Sequence, residues 1–182
     1  AGGITIDEVD HLGFYDKPML KLERLLLSHL QNFPKSKEQF LHGMPNWMKE
    51  KLPIKRVVQQ KLGWKRPVWF AEHHVSHAAS SFLCSPFEEA AILTVDGVGE
   101  WATSTWGVGR GNGLELQGEI RFPHSLGLLY SAITAYLGFK VNSAEYKVMG
   151  LAPYGEPKYV DLLKQVIDIA DDGSFRLDMQ YF

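Results

Sequence analysis

His73 and His77, four residues apart in EHHVSHAASSF, are the side chains of this sequence best suited to hold a metal ion. On a helix that spacing puts both imidazoles on one face, about one turn apart. His74 would point roughly 100° away and stays outside the pair. Further along, the apolar run AAILTV ends in Asp96-Gly97. A carboxylate at the end of a buried strand sits at the functional edge of a sheet. Neutral imidazoles suit zinc, iron, nickel or copper, and an added carboxylate strengthens the case for a divalent ion. Two histidines and one aspartate leave coordination positions open, as catalytic metal sites require. The spacing alone also fits an ordinary surface pair or a packed histidine.

Two further segments could meet a ligand. In Asp96-Gly97-Val98-Gly99 the glycines let backbone N–H groups approach an anion while the aspartate holds its metal. The same tetrapeptide is also a plain strand-ending turn, and it lacks the GK[ST] ending of a Walker loop. In NSAEYKVMGLAP, Glu145 and Lys147 stand in an otherwise small and apolar run. Buried there, they would need partners or a ligand, a ribose for the carboxylate or a phosphate for the lysine. A helical turn with both facing solvent is the competing reading. No serine or cysteine nucleophile arrangement stands out, so no catalytic residue is assigned. Cys84 is the only cysteine, which excludes an internal disulfide and cysteine-based zinc clusters. Beside Phe82 and Leu83 it reads as a buried or half-buried thiol.

The elements that must position these residues follow from periodicity. VDHLGFY reads as a short strand, and Asp16-Lys17-Pro18 opens a helix that Pro34 ends. Met19, Leu22, Leu26 and Leu30 form its apolar stripe. A second helix starts at Ser36, is interrupted near Gly43-Met44-Pro45, and resumes to Gly63, with Pro53 kinking or dividing it. PVWFAEHH reads as a strand and HAASSFL as a helix. AILTV reads as a fully buried strand, followed by TSTWGVG and LELQGEIRF as a meander turning at Arg110–Gly113. Ser125 caps a helix to Gly138 with Leu126, Leu129, Ile133, Tyr136 and Leu137 facing the core. Tyr159 to Ala170 is a last helix, and a hairpin follows from Asp171. The class is α/β with antiparallel neighbours in the sheet. Residues 16–63 read as a mainly helical insertion.

Composition narrows the function. An apolar fraction of 45% and a charged fraction of 22% are those of a soluble globular chain. A net charge of −2 favours neither nucleic acid nor an anionic membrane. No apolar run reaches the ~20 residues of a transmembrane helix. The start lacks a signal peptide and an initiator Met, and the chain stops within a strand. Together these read as a cut piece of a cytoplasmic protein.

Three strings, EHHVSHAASSFLCSPFEEAAILTVDGVGEWATS, IRFPHSLGLLYSAITAYLGFKVNS and EYKVMGLAPYGEPKY, resemble the O-carbamoyltransferases that modify nodulation factors and antibiotics such as tobramycin. The resemblance runs through nearly all 182 residues and identifies them as part of that family's N-terminal domain. It implies the nucleotide-binding superfold of actin, Hsp70 and the sugar kinases, related to the tRNA threonylcarbamoyl transferases. It implies a two-step reaction: carbamoyl phosphate and ATP give carbamoyl-adenylate and pyrophosphate, and the carbamoyl group then passes to a small-molecule hydroxyl acceptor. By the family motif His73, His77 and Asp96 are metal ligands. Iron is the expected ion, with magnesium, manganese or zinc as alternatives. Gly97 and Val98 lie beside the phosphates, and Glu145, Lys147 and Gly150 belong to the nucleotide cleft. A homo-oligomer is compatible with the family. Ala144 departs from the family's NSGEYK pattern, where a methyl could crowd the cleft. A further metal ligand and the carbamoyl-phosphate site are expected elsewhere, so these residues alone should not turn over. A threonylcarbamoyl-type transferase and a non-catalytic nucleotide-binding module are the rival readings.

Overall fold

The computed structural model of the chain describes residues 3–182, which form two compact units, one ending at Ser76 and the other running from His77 to Phe182. The division falls inside one helix, α4 (His73–Phe82). The architecture is α/β, with parallel and antiparallel strand pairs.

In the first unit β1 (Leu12–Phe14) pairs in parallel with β2 (Val68–Phe70), Leu12 opposite Val68. The chain between them is helical. The first helix, α1 (Pro18–Gln31), begins with its proline at the first helical position, where a missing N–H costs nothing. Next comes α2 (Lys37–Asn46), which carries Pro45 inside it and passes into a wide π-helical turn at Trp47–Lys51. After it α3 (Ile54–Leu62) ends on Gly63, whose φ of +67° is a left-handed cap that glycine takes without strain. The helical backbone therefore runs on through Gly43–Pro45, and the break falls at Leu52–Pro53, where Pro53 was expected to divide it. The strand expected over PVWFAEHH stops at Phe70, and both histidines belong to α4.

In the second unit β3 (Glu89–Val95), β4 (Ala102–Arg110) and β5 (Gly113–Arg121) make the expected antiparallel meander. β3 alternates in burial, so only one of its faces is covered. Ile92 lies under Ala78 and Phe82 of α4, with Ala90, Leu114 and Leu116 at the margin. Gly109 sits where a Cβ would come 2.5 Å from the Phe82 ring, so the aromatic packs directly on backbone. This core seats α4 on the sheet, and the helix turn before Ala78 carries His77. The opposite face is open: Leu93 is 71% exposed, which corrects the expectation of a fully buried strand.

Helix α5 (Leu126–Tyr136) begins as expected at Ser125, whose Oγ accepts the Leu128 N–H at 3.0 Å. Its covered side differs from the expected stripe. Thr134 is fully buried, while Ile133, Tyr136 and Leu137 are exposed. Helix α6 (Glu145–Leu151) follows, then a short α7 (Val160–Leu163). The helix expected to Ala170 is cut short because Ile167–Ile169 forms β6, paired with β7 (Phe175–Leu177). Buried Phe175 and Leu177 anchor that hairpin, and the Leu177 N–H donates to His124 Nδ1 at 3.1 Å. Cys84 is exposed, because it lies just beyond the end of α4 rather than on its packed side.

Candidate metal centre

α4 carries His73 and His77 one turn apart. Small residues on this helix, Ala78 among them, let it lie close on the sheet, and the close seat fixes its rotation. His74, at 3% exposure, is buried beside His73 with the two rings in a T-shaped arrangement, centroids 6.0 Å apart. His77 Nε2 lies 3.7 Å from Asp96 Oδ2. That is too long for a hydrogen bond. It suits two atoms that each lie about 2.1 Å from one ion, which are held somewhat over 3 Å apart. Within the second unit, an imidazole and a carboxylate so placed fit a divalent transition metal.

In the first unit the His73 ring is held by a carboxylate and an aromatic ring. Its Nδ1 lies 2.7 Å from Asp16 Oδ1, and the same oxygen is 2.8 Å from Lys21 Nζ. Tyr15 packs against the ring with centroids 5.8 Å apart. Asp16 is only 8% exposed.

The Asp96–Gly97 turn closes the β3–β4 connection, with the Asp96 N–H donating to Thr103 O and the Gly99 N–H to Ala102 O, both at 2.9 Å. The start of α5 presses onto it. Buried Ser125 donates its hydroxyl to Gly97 O at 2.6 Å, and a Cβ on Gly127 would fall 2.5 Å from Asp96 O. Only glycine permits that approach. The result is a cavity of about 570 Å³ lined by Asp96, Gly97, Leu126, Gly127, Ser131 and Glu145, with the first turn of α5 in its wall. A helix N-terminus presents N–H groups and the positive end of its dipole, both favourable to a phosphate.

Of the other residues predicted to meet the nucleotide, Val98, Lys147 and Gly150 do not line this cavity. Glu145 does, but its carboxylate is already engaged. It accepts the N–H of Asn142 at 2.7 Å and of Ala144 at 3.2 Å, and the Ser131 hydroxyl at 3.2 Å. The Asn142 bond, first among these, holds the carboxyl below its ordinary pKa. Asn142 has a φ of +62°, a left-handed conformation that asparagine tolerates. Ala144 is buried with a φ of −134° and does not line the cavity, so its methyl crowds nothing there. Sequence reading recognised Ser125 as a cap but missed its grip on Gly97. It also missed Gly127 and Asp16. A glycine in the first turn of an apolar helix was the available sign for Gly127; Asp16, distant in sequence from His73, offered none.

The carbamoyltransferase N-terminus family model matches residues 1–182, and the chain belongs to that family. A protein of Synechocystis described as uncharacterized is 54% identical over 189 residues, covering 99% of this chain and 31% of that protein. The nodulation protein NolNO of Sinorhizobium fredii is 36% identical over 184 residues, covering 96% of this chain and 25% of that protein. Nodulation protein NolO of Bradyrhizobium diazoefficiens is 39% identical over 110 residues, covering 59% of this chain and 20% of that protein. The chain thus spans about a third or less of the length of these relatives. Among the described residues no helix is long and apolar enough to cross a membrane.

Proposed function

We propose that these residues form part of an ATP-dependent O-carbamoyltransferase on the actin, Hsp70 and sugar-kinase superfold. Carbamoyl phosphate, ATP and water give carbamoyl-adenylate with release of phosphate and pyrophosphate, and the carbamoyl group then passes to a hydroxyl on a small molecule with release of AMP. The observation that carries this reading is the family match across residues 1–182. The cavity supports the nucleotide part of it, because its wall joins Asp96, Gly97 and the start of α5.

In this reading His73, His77 and Asp96 hold one divalent ion, iron first, with magnesium, manganese or zinc as alternatives. A Lewis acid there neutralises and orients phosphate oxygens. Asp96 presents its carboxylate while its own N–H is tied into the hairpin. Gly97 brings bare backbone to the phosphates, and the first turn of α5 supplies partial positive charge. Glu145 shapes the wall by holding the 142–145 turn against α5, and leaves ligand contact to the backbone.

The test uses the full-length protein. Carbamoyl-phosphate-dependent release of pyrophosphate from ATP is expected, with one bound metal per chain. His77→Ala should remove both. Absence of pyrophosphate release from the wild type, or a His77→Ala protein with unchanged metal and turnover, overturns the proposal.

A further inference from the structure

Asp16 lies within reach of His73 but has no place in the family motif, and nothing in its own sequence surroundings marks it for chemistry. It stands between β1 and α1, nearly buried, with Oδ1 at 2.7 Å from His73 Nδ1 and 2.8 Å from Lys21 Nζ. The pair is a close charge contact rather than an aligned hydrogen bond, and the carboxylate's charge there favours the tautomer with the proton on Nδ1. The lone pair then belongs to Nε2. Tyr15 on one side and the edge of His74 on the other limit rotation of the same ring. Metal-ligating histidines depend on such a carboxylate partner, which fixes tautomer and orientation and raises ligand basicity.

We propose that Asp16 is a positioning residue for a metal ligand: it holds the proton of His73 on Nδ1 and so leaves Nε2 as the donor atom. The inference rests on His73 serving as a ligand. Lys21 sets how strongly the carboxylate pulls. Its ammonium shares Oδ1 and tempers the charge that the imidazole feels. A purely structural Asp16 would tie the start of α1 to α4 and would have no effect on the donor atom.

Two measurements on the full-length protein decide the matter. The first needs no substitution: the ring-nitrogen shifts of His73 in the metal-free protein, assigned by loss of the signal in His73→Gln. The Nδ1–H tautomer is expected, and an Nε2–H ring overturns the proposal whether or not the protein binds metal. The second is the affinity for Co(II), measured by competition with a chelator. Asp16→Asn keeps the shape and loses the charge, and should weaken Co(II) binding about 10- to 100-fold. Asp16→Glu should recover part of that loss. Unchanged affinity in a folded Asp16→Asn protein rejects the assignment, as does weakened affinity with an unchanged tautomer and no rescue by glutamate. If the wild type binds no Co(II), the metal reading of His73, His77 and Asp96 fails on its own, while the tautomer still decides what Asp16 does to His73.

Discussion

Two segments line the same cavity in the second unit and are built in opposite ways. Around Asp96 and Gly97 the wall is main chain held by main chain. Ser125 grips Gly97 O, and Gly127 allows α5 to touch the Asp96 carbonyl. Around Glu145 the wall is a side chain folded back on its own turn, followed by a helix whose later residues face solvent. A ligand that meets the first wall meets dipoles fixed in place. One that meets the second meets a carboxylate whose acceptor positions are largely taken. Both segments were expected to meet the nucleotide, and they offer a ligand different surfaces.

This contrast can be broken by substitution. The largest effect is expected for Gly127→Val, where the new side chain must displace the Asp96 backbone. A stability loss of about 1–3 kcal/mol, typical of forced overpacking, should come with a steep loss of ATP-dependent turnover, read by thermal melting and pyrophosphate release. A Gly127→Val protein with normal stability and activity would mean the close approach is dispensable. Ser125→Ala comes next, with about 1–2 kcal/mol expected from the lost cap and a raised KM for ATP.

Glu145→Gln keeps the shape but weakens the acceptor. Because the folded pKa of Glu145 is depressed, its ionised form contributes stability above the ordinary carboxylate range, and that contribution disappears as pH falls through the depressed value. The stability difference between wild type and Glu145→Gln should therefore shrink on acidification, seen in melts from neutral to acid pH. A difference that grows instead would contradict the bonding described. The smallest effect belongs to Gly150→Ala, since nothing lies within 4 Å of a Cβ there. The helix should gain up to about 1 kcal/mol, with the KM for ATP unchanged. A large rise in that KM would restore the 145–150 segment to the nucleotide site.

The sequence revealed local order well and sidedness poorly. The meander, the Ser125 cap and the proline start of α1 were all legible, because each depends on residues close together in the chain. Leu93 and Tyr136 were read as core and are exposed: period and hydrophobicity say that a face exists, not what covers it. The last helix lost Ile167–Ile169 to pairing with Phe175–Leu177, a tertiary choice that local pattern could not predict. At the site, HxxxH and the strand-end aspartate could be read directly. The carboxylate behind His73 could not, since it comes from the other side of the helical segment.

Ser125 has one more consequence. Its single oxygen donates to the turn through Gly97 O and accepts from the helix through Leu128 N–H. The turn and the first coil of α5 are therefore latched, and loosening one loosens the other. The amide proton of Leu128 becomes a natural gauge of the cavity. When nucleotide occupies the full-length protein its exchange with solvent deuterium should slow, and in Ser125→Ala that response should vanish.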